Sequence, residues 1–576
     1  MNFLNSYSFV AISFVLFTGL VAFISWWKTR GDNLQSESGY YLAGHSLPAI
    51  VVAGSLVMTD LSAEQLVGNN GQSVRVGITT FATQGLSWSG LVIAAVLLLP
   101  VFLKHGMTTL PEFFEKRYDA TVRRIVSIIM LLSFILIMLP TILYAGAQVF
   151  VNIFHVDELF GISTFAAVAI MCVLISIVGS IYAIFGGLKA IAVSDTLNGV
   201  GMLICGMLVP ILGLVFLSSQ TGGSGSLLDG LDKFLHTDPA MVNAWSEPTA
   251  NEPWWPWPVL FTGLVVNNVY FWGCNQSIIQ RALGAKSLAH AQKGMILAGL
   301  IDLFTPLALV IPGIICAFAY PGMDWGNGDS AFPVILSAVT PKWLLGFMAA
   351  AIFGAILSSY NSVLNSASTL YALDIHRPMF NPTASDEYTV KTGQRFGLVI
   401  TIIATAVSPF LLYMGGITTF LNAALGIFNT PVLVILLCGI FWKKTPTKAA
   451  KIMIPIHIVL YILLNYVLRD RIPVLQNIHY LYYTFALFLL DMLLMWIITK
   501  AAPRKTDFVH DSAAAVVDLT PWKYRRVMIA VIVGLTAVFY AVFSPWFLGK
   551  SDQTTWERYQ AEQAADTAVS AIVEQS

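Results

Sequence analysis

The stretch TDLSAEQLVGNNG, residues 59–71, puts two acids, Asp60 and Glu64, one helical turn apart. Apolar runs flank it, SLPAIVVAGSLVM before and, after a short gap, GLVIAAVLLLPVFL. Like charges at i,i+4 weaken a helix, and each charge at mid-bilayer costs on the order of 2.5–3.5 kcal/mol. Polar, interrupted backbone at that depth is tolerable where it lines a cavity or binds an ion, which is how transporters build their sites. Whether this stretch lies inside a membrane therefore decides the fold.

Composition settles that. Of 576 residues, 57% are hydrophobic and 11% charged, against about 25% charged in soluble chains; mean hydropathy is +0.74. Apolar runs long enough to span a bilayer recur along the whole chain, without the alternation of a membrane barrel. The chain is an all-α polytopic membrane protein. Net charge is zero, which points to no nucleic-acid partner. Cys172, Cys205, Cys274, Cys316 and Cys438 stand singly in apolar segments, as small hydrophobes do. In MNFLNSYSFVAISFVLFTGLVAFISWWKTR the positive charges follow the apolar run, so it is expected to be an uncleaved first span.

About 14 transmembrane helices are expected, near 8–27, 47–72, 80–104, 124–150, 163–185, 190–218, 254–281, 290–320, 340–376, 394–413, 415–441, 449–468, 479–500 and 523–546. With both termini outside, 24 of the 31 Lys and Arg residues fall in inside loops, as the positive-inside rule requires. Residues 219–253 form an extracellular loop, and the polar tail 551–576 is a surface helix or disordered.

Two spans carry interruptions in corresponding places. Residues 47–72 hold Thr59–Ser62 and Gly68–Gly71; five spans later, 254–281 holds Asn267-Asn268 and Gly273–Gln276. Kinked helices with Asn and Ser satisfied across helix contacts would look the same. The span 340–376 contains GAILSSYNSVLNSAS. Its hydroxyls, with unwound carbonyls, are hard oxygen ligands of the kind Na⁺ takes, or small packing residues. Asp60, Glu64, Asp195, Asp302 and Asp491 lie at membrane depth with no basic residue deep in any span; Lys189 and Arg281 sit near span ends. The acids must be protonated, hydrogen-bonded or paired with a cation from outside the chain. The tryptophans at 254–257 and the tyrosines at 480–483 are expected in the membrane interface.

Seven segments in order resemble the solute:sodium symporter family, specifically its sodium/sugar branch: YYLAGHSLPA (40–49), SLVMTDLSAEQLVG (55–68), TLPEFFEKRYD (109–119), YAIFGGLKAIAVSD (182–195), YFWGCNQSIIQRALGAKSLAHAQKG (270–294), SSYNSVLNSASTLYALDI (358–375) and GIFWKKTP (439–446). The resemblance implies a LeuT-like fold with two inverted five-helix repeats, at 47–218 and 254–441. The span and cytoplasmic loop 1–46 and the C-terminal spans 442–550 are then peripheral. It implies a Na⁺ site from Met58, Leu61, Ala355, Ser358 and Ser359, and a sugar site from Gln65, Gln84, Ser87, Asn268, Asp302 and Asn422, gated by Phe271. Asp60, Glu64, Asp195 and Ser362 would stand behind the ion or hold a second one. Similar sugar carriers have Glu at Gln84, Lys at Asp302, Tyr at Phe271 and Asn at Asp60, which favours a sodium symporter over a hexose carrier.

The function expected is Na⁺-coupled symport of a sugar or polyol by alternating access. The chain would be a monomer among membrane lipids, in a bacterial inner membrane, with no organic cofactor and no enzymatic chemistry. Nucleotide-binding glycines are absent, which argues against an ATP-driven pump. The alternatives are Na⁺- or H⁺-coupled symport of an amino sugar, amine or carboxylate, and a sensor that binds solute without moving it.

Overall fold

Helices carry every span, since a backbone in hydrocarbon must satisfy its own N–H and C=O groups. The computed structural model describes residues 7–30, 36–326, 328–413, 417–469, 471–509 and 517–563, excluding the side chains of 7–8, 63, 182–187, 417–420, 422–423 and 473–474. Among the described residues there is no strand, only isolated bridges such as Leu47 with Ala285.

The helices that build the site are α1 (Tyr7–Thr29), α2 (Ala49–Asp60), α3 (Ala63–Val76), α4 (Trp88–Ile93), α5 (Thr164–Gln220), α6 (Gly263–Gly273), α7 (Gln276–Leu283), α8 (Leu288–Asp302), α9 (Ile311–Ala319), α10 (Lys342–Thr369), α11 (Ile417–Phe441), α12 (Thr447–Ile462) and α13 (Tyr480–Ala501). Eleven helices of the described residues are long and apolar enough to cross a membrane, or twelve with one bent pair. The two missing from the expected fourteen are 47–72 and 254–281, the spans predicted to be broken, whose halves are individually too short. At about 1.5 Å per residue, the 57 residues of α5 exceed twice a hydrocarbon thickness; they contain two spans, Thr164–Ile181 and Leu188–Gln220.

The breaks fall at fewer places than the sequence suggested. α2 ends at Asp60; Leu61 (ψ 67°) leaves the helical region and extended Ser62 starts α3. Gly68–Gly71, expected as a second interruption, is helical within α3. Its small residues serve packing instead. A Cβ on Gly71 would stand 2.8 Å from the Gly328 backbone, and Asn70 accepts from the Gly313 N–H (2.8 Å) while donating to the Ala308 carbonyl (3.1 Å). Asn267 and Asn268 are likewise helical, in α6; the interruption lies at Cys274-Asn275, where the Asn275 side chain caps α7 by accepting from the Ser277 N–H (3.0 Å). A third break was not expected. Pro306 has no N–H for the Asp302 carbonyl and its ring clashes with residue i−4, so α8 stops at Asp302 and the chain bends by 41° into Pro306–Ala319.

α10 is buried without interruption from Met348 through Thr369 and forms the centre; α2, α5 and α7 pack on it, and α1 lies outside it with Trp26 and Trp27 exposed. The described part of the tail is docked. Trp556 packs on Trp254 (centroids 5.0 Å), Thr555 accepts from the Trp254 indole (3.0 Å) and Arg558 pairs with Asp238 (2.6 Å). Trp254 and Trp255 are buried in this cap rather than placed in the interface, while Trp257 is exposed.

Candidate functional site

The end of α2 leaves carbonyls without helical donors. Ser62 N–H, which would have closed on Met58, bonds the Asp60 carbonyl instead (2.7 Å). Across from this turn, Ser359 Oγ of α10 donates to the Thr59 carbonyl (3.2 Å) and Thr59 Oγ1 lies 3.4 Å from Ser362 Oγ. These contacts bring the turn after Met58 against α10, where Ser358 adjoins Ser359 and Ala355 lies one turn earlier. Ser358 Oγ is buried close to the Asp195 carboxyl, yet makes no hydrogen bond of ordinary length. An orphaned hydroxyl beside freed carbonyls is the donor set a small hard cation takes.

Next to it lies a cavity of about 150 Å³. That is below the roughly 300–1,000 Å³ of sites for drug-sized ligands and suits a solute of about one ring. Gln65, Gln84, Ser87, Asn268 and Phe271 all line it, as do Asp60 and Glu64. α4 and α6 approach closely enough to frame one wall; a Cβ on Gly90 would stand 2.2 Å from the Asn268 carbonyl oxygen. Asn268 donates to the Leu86 carbonyl (3.0 Å), two residues before α4, and so holds the entry to that helix. Ser87 accepts from the Trp272 indole (2.6 Å). Phe271 packs edge-on against Trp272 (centroids 5.1 Å). Asn422 lies on α11, its side chain outside the described residues.

The two acids of the opening stretch differ. Glu64 is in the first turn of α3, the end that favours negative charge, and accepts from its own N–H and from Ser62. Asp60 is the last residue of α2, at the end that disfavours it. Its carboxyl lies against that of Asp302, the last residue of α8, with Gln84 on one side and Ser87 on the other. Asp302 itself is behind the cavity wall and 1% exposed. One oxygen of each carboxyl has no hydrogen-bond donor.

Asp195 has a partner from within the chain, contrary to the sequence-based expectation. Arg281 of α7 is 1% exposed and reaches into the core. Its Nε donates to Ser55 Oγ (2.6 Å), Ser55 donates to Asp195 (2.7 Å), and Nη2 lies 3.4 Å from Asp195 and bonds Ser362. The break after Cys274 turns α7 inward, so a residue near a span end becomes an internal cation. Asp195 and Ser362 thus hold a guanidinium. Asp491 is buried too, bonded to His457 of α12 (2.6 Å), whose other nitrogen faces the Gly426 carbonyl of α11 (3.4 Å).

Several cavity residues were not expected. Trp255 and Tyr480 line one end, and Asn267 pairs with Asn429 (3.3 Å) in the wall. Aromatic clusters at helix ends gave no means of separating an interface belt from a lid.

A sodium:solute symporter family model matches residues 40–454. An uncharacterized symporter of Escherichia coli K12, YidK, is 38% identical over 519 residues, covering 90% of this chain and 88% of that protein. The sodium/glucose cotransporter of Vibrio parahaemolyticus is 30% identical over 473 residues, covering 78% and 84%. A Na⁺-coupled sialic acid symporter superposes with a TM-score of 0.70 at 19% identity, covering 88% of this chain and 99% of that one. MHP1, of the nucleobase-cation-symport-1 family, gives 0.51 at 14%, covering 84% and 99%. These structural likenesses establish the fold, which is LeuT-like with two inverted five-helix repeats.

Proposed function

The chain belongs to the sodium:solute symporter family, and from that premise we propose that it carries a sugar or polyol through the cavity between α2, α3, α6, α10 and α11. It is an integral membrane transporter and not an enzyme, a solute symporter with Na⁺ as the coupling ion. The observation that carries the solute class is the cavity wall. Gln65, Gln84, Ser87 and Asn268 converge on one-ring-sized space beside the aromatic face of Phe271, the mixture of amides, hydroxyls and an aromatic that binds polyhydroxylated rings. The relatives' sodium/glucose cotransport supports the same class.

In this scheme Na⁺ is held by the Met58, Leu61 and Ala355 carbonyls and the Ser358 and Ser359 hydroxyls. That ties the end of α2 to α10 and sets Asp60, Glu64 and Gln65 around the solute. Because both ligands use the same broken turn, each raises the affinity of the other, by equal factors. An inside-negative potential adds about 2.3 kcal/mol per charge per 100 mV. The repeats are 47–218 and 254–441. The protein works as a monomer in a bacterial inner membrane with both termini outside, the orientation the basic residues favour.

The test is uptake into proteoliposomes under an inward Na⁺ gradient, with labelled hexoses, pentoses, inositols and linear polyols. Na⁺-dependent accumulation of members of this panel is expected. Accumulation of amino acids or carboxylates, with none of the hydroxylated solutes, would remove the sugar or polyol assignment.

A further inference from the structure

We propose that the solute, within the sugar or polyol class on which this inference rests, bears a protonated amino group that is received by Asp60, on the cavity, backed by Asp302. Three observations converge on a cation. The first is the pairing itself: two buried carboxyls from different helices lie against one another, Asp60 4% and Asp302 1% exposed, each with an oxygen lacking any donor. Two carboxyls bonded to one another share a proton and keep one negative charge between them, and a buried charge is stable only when something of the other sign joins it.

The second is where the backbone puts them. Asp60 ends α2 and Asp302 ends α8. Each helix terminus adds about −0.5 charge, so two negative ends and two carboxyls are brought to one wall. Cations, not neutral hydroxyls, are what helix C-termini favour. Glu64, the other carboxyl on the cavity, stands in the first turn of α3, has one oxygen without a donor and adds to the same sign.

The third is what is missing. No Lys, Arg or His among the described residues lines the cavity. The one buried cation nearby, Arg281, is committed to Ser55, Asp195, Ser362 and the Ser277 carbonyl. No group of three or more His, Cys, Asp or Glu among the described residues is arranged for a metal ion. An ammonium fits what is there. It brings N–H donors that the Asp60 carboxyl and the Gln84 side-chain oxygen, both on the cavity, can accept. The ring hydroxyls are left to Gln65, Ser87 and Asn268, the ring face to Phe271.

Matched probes test this, in proteoliposomes under an inward Na⁺ gradient: D-glucosamine with D-glucose, N-methylglucamine with sorbitol, and N-acetylglucosamine, which keeps the nitrogen and loses the charge. Each amino compound is expected to be taken up roughly ten- to a hundredfold better than its neutral partner, as a charge-assisted contact is worth, and N-acetylglucosamine to behave as a neutral compound. Asp60→Asn is expected to reduce the amino preference at least tenfold while Na⁺ still raises the unfolding temperature of the purified protein. Equal or better Na⁺-driven uptake of the neutral partners would overturn the amino group and leave the sugar or polyol assignment standing. Uptake of no probe, by protein that Na⁺ still stabilises, would overturn both. The wild-type comparison needs no variant, so it decides even if Asp60→Asn fails to fold.

Discussion

Arg281→Gln is the most exacting perturbation of this structure. Arg281 and Asp195 are 1% and 0% exposed, with Nη2 and Oδ2 3.4 Å apart. At an effective dielectric of about 20, charges at that distance attract by about 5 kcal/mol. The separation is longer than a charge-assisted hydrogen bond of about 2.7–2.9 Å; Ser55 bridges the two, and Asp195 Oδ1 has no partner. Removing the guanidinium leaves a carboxylate with one serine, and breaking a buried pair costs about 3–5 kcal/mol. Arg281→Gln and Asp195→Asn should therefore each destabilise by about 4 kcal/mol. The double variant strands no charge and loses only neutral hydrogen bonds, about 3 kcal/mol in all. The assay is reversible unfolding in mixed micelles with increasing denaturing detergent, followed by tryptophan fluorescence. A double variant costing the sum of the singles, about 8 kcal/mol, would show that the groups do not interact and would refute the pairing of α7 with α5.

Ser359→Ala should raise the half-saturating Na⁺ concentration for uptake about tenfold, roughly one charge-assisted contact, at unchanged expression; an unaltered Na⁺ dependence would remove this serine from the ion site. Gly90→Ala should lower stability by about 1–3 kcal/mol and depress uptake, because its Cβ would meet the Asn268 carbonyl oxygen at 2.2 Å; thermal unfolding reads the first and transport the second. His457→Ala should cost about 1–3 kcal/mol, read by thermal unfolding, because it leaves the buried Asp491 without the hydrogen bond that joins α12 to α13. Asp119 caps the helix that begins at Ala120 and pairs with Lys451 (2.6 Å). Partial burial works to raise its pKa, but the Lys451 ammonium and the Val122 and Thr121 N–H groups outweigh it and hold the carboxyl below its ordinary value. Its stabilisation is thus present above the ordinary aspartate range and lost as pH falls through the lowered value. Asp119→Ala should cost about 1 kcal/mol at neutral pH and nothing in strong acid, by unfolding at several pH values.

The spans were legible because hydrocarbon imposes length and apolarity on each, and the two paired breaks because polar residues there had no other use. What failed was the assumption that every polar cluster breaks a helix. Gly68–Gly71 and Asn267-Asn268 are polar for packing and capping across helices, and one chain read alone cannot separate contact from interruption. The break at Asp302 did have a signal, Pro306 four residues on, but within an apolar stretch that looked continuous. Arg281 was hidden by a one-dimensional argument. Near a span end it counted as a loop residue, whereas the turn at Cys274-Asn275 sends α7 back into the core, where depth along the chain no longer measures depth in the membrane.

The broken helices also explain why acids are tolerated where they stand. An interruption makes two ends of opposite polarity, and the chain treats them differently. At the starts of α3 and α7 it places Glu64 and Asn275, groups that answer exposed N–H donors. At the ends of α2 and α8 it places Asp60 and Asp302, which add to the negative charge already there instead of offsetting it. Such an arrangement weakens the empty protein and is recovered only when a cation arrives. Binding that favours one state stabilises it by about 2.7 kcal/mol at a hundred times the dissociation constant. Energy withheld from the fold in this way becomes available to couple Na⁺ at the carbonyls of α2 to whatever meets the carboxyls beside them. In the proposed scheme Asp60 and Asp302 thus belong to the coupling itself.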